Sequence, residues 1–457
     1  MRIHFIAIGG AIMHNLAITL HEKGHQITGS DDHIKDPARS NLSEKGLLPP
    51  QEGWDPQRIQ PELDAVILGM HARPDNPELL RAQELGLQIY SFPELIYREN
   101  KHKNRFVVAG SHGKTTITAM VMHVLDRLKR KFDYLVGARV PGFRHSVKLT
   151  TNSPLIVLEG DEYLTSPLDT RPKFLWYEPH VALISGLSWD HINVYPTYEA
   201  YKEQFERFID TIQPQGTLIY NAEDVELTQI VQANKRKDLK KIAYTTPEYS
   251  IVDNKLVVKW KKERYALQII GRHNVQNLEA ARKICEQLDI KPADFFTAME
   301  NFRGAQKRLE PLWSDDHLKV FRDFAHAPSK VQATVSAIKE QFPDWQVLAF
   351  LELHTFSSLN KGYLKQYRRT LADADRAFLF IDPDALERKQ LPDISEQEIR
   401  QFFGRPSMEL LHDTEELENK LPLEPEQRTV ILLMSSGNFG GFSVKNLLDQ
   451  LRSHSNS

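Results

Sequence analysis

Arg105-Phe106-Val107-Val108-Ala109-Gly110-Ser111-His112-Gly113-Lys114-Thr115-Thr116 is the stretch on which the reading of this chain turns. The apolar run Arg105–Ala109 predicts a buried strand. Gly110 breaks it, Ser111 and His112 turn, and the helical spacing of Ile117, Met120, Val121, Val124 and Leu125 predicts a helix from Thr115 onward. A strand, a glycine-bracketed turn and a helix N-terminus bring several backbone N–H groups around one point, which suits phosphate. Lys114 adds a point charge and Thr115 a hydroxyl for Mg²⁺. Val108 occupies the place of the first glycine in the longer Gly-x-x-x-x-Gly-Lys-Thr pattern. The shorter Gly110-x-x-Gly113-Lys114-Thr115-Thr116, with a strand before it and a helix after it, still predicts a nucleoside triphosphate cradled by residues 110–116. An ordinary glycine turn with a surface lysine accounts for less of it.

Outward from that turn, 457 residues suggest about three domains. Hydrophobic content of 41% and charged content of 26% are those of a globular chain, and a net charge of −3 with no basic domain argues against nucleic acid as a partner. No apolar run reaches membrane-spanning length and the N-terminus enters a strand at Arg2–Ile8, so neither a membrane span nor a signal peptide is predicted. The single Cys285 has no disulfide partner and reads as a packed helical thiol, which fits a reducing cytoplasm.

Strand-like runs at His4–Ile8, His25–Gly29, Ala65–Gly69 and Leu87–Tyr90 alternate with helical patterns at Ala11–Glu22 and Pro77–Leu85, the mark of a parallel, doubly wound sheet. The polar Lys101-His102-Lys103-Asn104 sets a boundary. The predicted domains are 1–104, 105–310 and 311–457. The middle one adds strands at Leu155–Leu158, Val181–Ile184, Thr217–Tyr220 and Lys241–Tyr244, and Lys255–Ile270 reads as a β-hairpin appended to that sheet. The last has strands near Lys319–Asp323, Gln346–Leu351, Ala377–Ile381 and Val430–Met434.

Several other constellations carry chemistry. Leu155–Leu158 runs into Glu159-Gly160-Asp161-Glu162, and acids at the carboxyl end of a parallel strand sit where α/β proteins bind ligands and Mg²⁺. Val181–Ile184 leads in the same way to Asp190-His191. In Gly271-Arg272-His273-Asn274, Asn274 is a plausible helix cap or a reader of adenine's edge. Lys307-Arg308 lies at the second boundary, and Asp323 and His326 follow the first strand of the third domain. Gly9-Gly10, after the first strand, are compatible with backbone approach to a diphosphate but lack the dinucleotide spacing. Ser30-Asp31 end the second strand, where they hold a ribose or base or simply cap a turn.

Gly110-Ser111-His112-Gly113-Lys114-Thr115-Thr116, Glu159-Gly160-Asp161-Glu162, Asp190-His191, Gly271-Arg272-His273-Asn274 and Phe324-Ala325-His326-Ala327-Pro328 occur in the order seen in the Mur ligases of peptidoglycan synthesis, and the chain resembles that family along its whole length. The resemblance implies an α/β, three-domain architecture: a Rossmann-like N-terminal domain for a UDP-sugar, a central P-loop ATPase domain for ATP and Mg²⁺, and a Rossmann-like C-terminal domain for the incoming amine. Thr28-Gly29-Ser30-Asp31 and Phe302-Arg303-Gly304-Ala305-Gln306-Lys307-Arg308 resemble the UDP-N-acetylmuramate branch. Glu162-Tyr163, Lys173-Phe174 and Met434-Ser435-Ser436-Gly437-Asn438 are most similar to its members that add the murein tripeptide L-alanyl-γ-D-glutamyl-meso-diaminopimelate in peptidoglycan recycling.

Carried over by position, the resemblance implies Lys114 on the β/γ-phosphates, Thr115 and Glu159 on one Mg²⁺, and His191 at a second metal. Asn274 would lie near adenine, with Arg308 and Asp323 contacting the nucleotide. Gly9, Gly10, Ser30, Asp31, His326 and His354 are the predicted substrate contacts. There are departures. Gln204 and Phe205 fall where some relatives have a carbamylated lysine, Gly160 replaces a usual Ala, and Leu353-His354-Thr355 replaces a usual Pro-His-Arg. Rival readings are a ligase adding L-alanine to the same UDP-sugar and a non-catalytic nucleotide-dependent binding protein.

Overall fold

The computed structural model describes residues 1–189, 194–355, 358–382 and 395–455. Its first sheet consists of β1 (Arg2–Ile6), β2 (Gln26–Ser30), β3 (Ala65–Leu68) and β4 (Ile89–Ser91), all parallel in the order β2-β1-β3-β4. Parallel strands are covered on both faces by their crossover helices, and every residue of β3 is accordingly buried. Local signals set the helix starts. Asn76 accepts from the Glu78 and Leu79 N–H groups ahead of Pro77, and Ser91 caps Phe92–Asn100.

The middle sheet contains β5 (Asn104–Ala109), β6 (Asp133–Leu135), β7 (Val147–Lys148), β8 (Leu155–Glu159), β11 (Val181–Ile184), β12 (Thr217–Asn221) and β13 (Lys240–Tyr244), in the order β13-β12-β11-β5-β8-β6-β7. Only β7 is antiparallel. From β5 the chain winds first towards β8 and β6, then returns to lay down β11, β12 and β13 on the other side. This makes β5 the switch point, and the crevice at its carboxyl end is the ligand position of such sheets. Between β8 and β11 a short hairpin, β9 (Leu164–Ser166) with β10 (Asp169–Pro172), stands apart from the sheet.

Two compact units result. The first comprises Met1–Trp189, Val194–Thr245 and Glu279–Ala298 and holds both of these sheets. The polar stretch before β5 is firmly held within it. Lys103 is buried, its ammonium bonded to Asn100 Oδ1 (2.9 Å), the Thr150 carbonyl (2.6 Å) and the Asp133 carboxylate. The Arg105 guanidinium donates to the Tyr177 (2.9 Å) and Lys101 (2.7 Å) carbonyls.

The second unit comprises Thr246–Leu278 and Met299–Ser457. Its large sheet has the order β17-β18-β22-β19-β20-β21: β17 (Glu310–Ser314), β18 (Leu318–Asp323), β19 (Gln346–Glu352), β20 (Arg376–Phe380), β21 (Glu409–Leu411) and β22 (Thr429–Met434). Only the edge strand β17 is antiparallel. One expectation fails here. The predicted hairpin is not appended to the middle sheet. It pairs with a third strand, giving a separate antiparallel sheet of β14 (Tyr249–Val252), β15 (Lys255–Trp260) and β16 (Glu263–Leu267). Asp253 and Asn254, at φ 50° and 56°, make the two-residue turn that joins β14 to β15.

Candidate functional site

At the carboxyl end of β5 the chain reverses through Gly110, at φ 120°, where a Cβ would come within 2.3 Å of Ser185 Oγ. That approach lets the turn close against the segment after β11, with Ser111 N donating to the Gly186 carbonyl at 3.0 Å and the Ser185 hydroxyl to that of His112. Gly113, left-handed at φ 72°, precedes the helix Lys114–Arg127. A helix N-terminus of this kind turns its N–H groups towards an anion. Gly110, Ser111, His112, Gly113, Lys114, Thr115 and Thr116 are thus one strand–turn–helix unit.

Three acids of the turn after β8 face it. Thr115 Oγ1 donates to Glu159 Oε1 at 2.8 Å, and Gly137 N donates to Glu159 Oε2 at 2.6 Å. Lys114 Nζ lies 2.6 Å from Glu162 Oε2 and donates to the Gly110 carbonyl at 2.7 Å. Burial alone would depress the Lys114 pKa, but Glu162, Asp161 and Glu159 outweigh it and hold the ammonium above its ordinary value. Asp161 pairs with Lys173 at 2.6 Å, and that ammonium also lies over the rings of Tyr163 and Phe92. Gly160 has a packing reason: a Cβ there would stand 2.8 Å from Val107 Cγ1.

Mg²⁺ takes oxygen ligands at about 2.0–2.1 Å in octahedral geometry, so adjacent ligand oxygens stand about 3 Å apart. The 2.8 Å between Thr115 Oγ1 and Glu159 Oε1 fits such an edge. Among the described residues there is no cluster of three or more His, Cys, Asp or Glu suited to a metal. The donor set therefore suits an ion that keeps water and phosphate oxygens. Asp190 and His191 lie outside the described residues, while the segment leading to them is anchored. Leu187 N donates to Asp224 Oδ2 at 2.6 Å, and Asn221 Nδ2 to the Ser185 carbonyl at 3.2 Å.

In the first sheet, the turn after β1 carries Gly9 and Gly10. Gly9 N donates to Asp31 Oδ2 at 2.7 Å, and a Cβ on Gly9 would meet that oxygen at 2.9 Å. Burial, reinforced by Asp32, pushes the Asp31 carboxyl up to about 6. Ser30 was predicted beside Asp31 as a substrate contact. The structure instead buries it fully, its hydroxyl accepting from Arg58 Nη1 at 3.0 Å and lying 3.3 Å from His4 Nε2. Its carbonyl accepts from Ala7 N at 2.9 Å and Ile8 N at 3.0 Å, which holds the turn after β1.

The remaining predicted residues belong to the second unit. Asn274 is not a cap: the helix already runs from Arg272, and the Asn274 amide donates to the Ile270 carbonyl at 2.9 Å while accepting from Asn277 Nδ2 at 3.1 Å. Asp323 accepts from Leu309 N at 2.5 Å and Ala325 N at 2.7 Å, and burial raises its pKa against the pull of Arg308. The Arg308 guanidinium lies 5.0 Å from the centre of the Phe324 ring. His326 Nδ1 is 2.9 Å from the Phe324 carbonyl oxygen. Partly exposed His354 stands 3.6 Å from the buried Glu352, which accepts from Phe439 N at 3.0 Å. Cys285, in the first unit, is buried and burial raises its pKa, as a packed thiol requires.

Sequence reasoning did not foresee Ser185, Tyr201, Asn221 or Asp224, nor the pairing of Glu162 with Lys114. Position at and just after the end of β12 was an available signal for Asn221 and Asp224. No local pattern marks Tyr201, whose hydroxyl lies 2.7 Å from Ser111 Oγ across 90 residues.

Residues 2–102 match the model of the Mur ligase family catalytic domain and residues 108–285 that of the Mur ligase middle domain. Among curated relatives, the UDP-N-acetylmuramate–L-alanyl-γ-D-glutamyl-meso-2,6-diaminoheptandioate ligase of Escherichia coli is 29% identical over 99% of this chain and 98% of its own. A UDP-N-acetylmuramate–L-alanine ligase of a Sulfurihydrogenibium species is 30% identical over 79% of this chain and 78% of its own. The solved structure of a murein peptide ligase from Psychrobacter arcticus aligns with a TM-score of 0.69 at 23% identity, covering 99% of this chain and 98% of that one. A UDP-N-acetylmuramate–alanine ligase from Thermotoga maritima aligns with a TM-score of 0.74 at 22% identity, over the whole of both chains.

Proposed function

Since the chain belongs to the Mur ligase family and is an ATP-dependent, amide-forming ligase acting on small molecules, we propose that it joins L-alanyl-γ-D-glutamyl-meso-diaminopimelate to UDP-N-acetylmuramate. In this reading, an oxygen of the sugar's lactyl carboxylate attacks the γ-phosphorus of ATP and the bond to ADP breaks, giving an acyl phosphate. The peptide's α-amine attacks the acyl carbon, loses a proton, and expels inorganic phosphate. Phosphorylation turns a poor acyl donor into a good one, and the fixed cations stabilise charge as it develops.

The observation that carries the reading is the Lys114–Thr115–Glu159 cluster around the turn after β5. Lys114 would bind the β- and γ-phosphates, while the N–H groups of residues 110–116 cradle them. Thr115 and Glu159 would hold Mg²⁺, which when bound neutralises phosphate charge, and His191 would serve a second ion. Gly9, Gly10 and Asp31 would contact the UDP-sugar, with the Ser30 carbonyl holding the turn after β1 through Ala7 N and Ile8 N. Asn274, Arg308 and Asp323 are proposed nucleotide contacts, and His326 and His354 peptide contacts. The proposed domains are 1–104 for the sugar, 105–310 for ATP and 311–457 for the amine. No helix among the described residues is long and apolar enough to cross a membrane, in keeping with the proposed cytoplasmic location.

The tripeptide is favoured by near full-length relatives bearing that name, at 27% and 29% identity, together with Glu162-Tyr163 and Lys173-Phe174. The second reading, L-alanine as donor, is favoured by equally similar L-alanine ligases. Phosphate release from ATP, Mg²⁺ and UDP-N-acetylmuramate separates them. Release with the tripeptide and not with L-alanine is expected; the reverse would transfer the protein to the second reading.

A further inference from the structure

Glu162 is held more firmly than its ion pair with Lys114 requires. It is 1% exposed. Its Oε2 takes the Lys114 ammonium at 2.6 Å, while its Oε1 accepts from the Tyr201 hydroxyl at 3.3 Å. The Tyr195 hydroxyl donates to its main-chain carbonyl at 2.5 Å. Tyr201 comes from the helix Tyr198–Asp210, and its oxygen also lies 2.7 Å from Ser111 Oγ, which accepts from Ser188 N at 2.7 Å. One buried network thus ties the turns after β5 and β8 to the segment after β11. The carboxylate that occupies Lys114 is fixed by the fold itself, and the same ammonium bends back onto the Gly110 carbonyl at the mouth of the phosphate turn.

A phosphate entering that turn competes with Glu162 for one ammonium. We propose that Glu162 is a positioning residue that parks Lys114 over Gly110 in the nucleotide-free protein and yields it to the β-phosphate, thereby setting how tightly nucleotide is held. The inference rests on the reading of residues 110–116 as the nucleotide cradle. Glu162→Gln keeps the shape and the Tyr201 contact but removes the competing charge, so nucleotides bearing a β-phosphate should bind more tightly. A partly buried charge pair of this kind is worth enough to shift affinity roughly tenfold. AMP, which has no β-phosphate, should not respond. A merely structural Glu162 predicts the opposite, with weaker binding of both or no change.

The test is calorimetric titration of the full chain with ADP and with AMP in magnesium buffer, for the wild type, Lys114→Ala, Glu162→Gln and Glu162→Asp. Wild-type binding of ADP that Lys114→Ala abolishes supports the cradle; no wild-type binding overturns the cradle and this inference together. With the cradle supported, ADP binding about tenfold tighter in Glu162→Gln at unchanged AMP affinity is the expected result. Equal or weaker ADP binding overturns the inference alone. Should Glu162→Gln fail to fold, Glu162→Asp decides. The shorter side chain draws the carboxylate back from the ammonium and should tighten ADP by roughly threefold, and an unchanged or weakened affinity contradicts the proposal.

Discussion

The turn after β1 and the turn after β5 share one backbone plan, a parallel strand running through glycines into a helix, yet they carry opposite charge. At Gly9-Gly10 the residue fastened to the turn is a carboxylate, Asp31, bonded to Gly9 N at 2.7 Å. At Gly110–Thr116 it is the ammonium of Lys114, ringed by Glu159, Asp161 and Glu162. A strand–turn–helix unit supplies N–H groups wherever it occurs; the side chains decide whether the group bound there is only held or also reacts. In the first turn the Gly9 N–H is engaged by Asp31. The second brings a cation and a carboxylate–hydroxyl pair to the point where phosphoryl charge would build up.

If the two turns are separate in function, damage to one should spare the other. Lys114→Ala should lower phosphate release by roughly 10³-fold, the scale of losing a main electrostatic contact in a transition state, while fluorescence titration still finds UDP-N-acetylmuramate bound. Equal loss of both would merge the two sites. Gly9→Ala pushes a methyl to 2.9 Å from Asp31 Oδ2 and disturbs a hydrogen bond to a charged group. UDP-sugar affinity should fall about tenfold with ADP affinity unmoved; a matching fall for ADP would break the division.

The smallest effect is on stability. The Asp31 carboxyl, ordinarily at 3.8, is raised to about 6 by burial and then by Asp32. Between those values the folded protein holds the proton that the unfolded chain has released. Asp31 therefore costs stability progressively as pH climbs from about 4 to about 6, and the cost persists above that. Asp31→Asn removes the cost, so thermal melts should show the variant gaining on the wild type across that window, by the equivalent of about 3 kcal/mol. A difference that does not vary with pH would place the Asp31 titration elsewhere.

How legible these turns were follows from their reach in sequence. Gly110, Gly113, Lys114 and Thr115 lie within six residues, and the strand and helix around them obey simple periodicities, so the cradle stood out before any coordinates. Glu159 was legible because the carboxyl end of a strand is a position with a meaning. The Glu162–Lys114 pair spans 48 residues and Ser111–Tyr201 spans 90, distances over which no local pattern speaks. Position at the end of β2 marked Ser30 but could not show Arg58 and His4 closing over its hydroxyl. The three-stranded β14–β16 sheet was mistaken for an appendage because its hairpin was visible but its separation from the middle sheet was not. Lys101–Asn104 read only as a polar boundary, whereas Lys103 is buried against Asp133.

The central claim is that a phosphoryl group gripped at residues 110–116 passes to a carboxylate before the amide forms. Turnover of UDP-N-acetylmuramate labelled with ¹⁸O in its lactyl carboxylate tests it directly, with mass analysis of the phosphate released. Transfer of one ¹⁸O per amide formed into the inorganic phosphate is the predicted result. Amide formation with wholly unlabelled phosphate would contradict it.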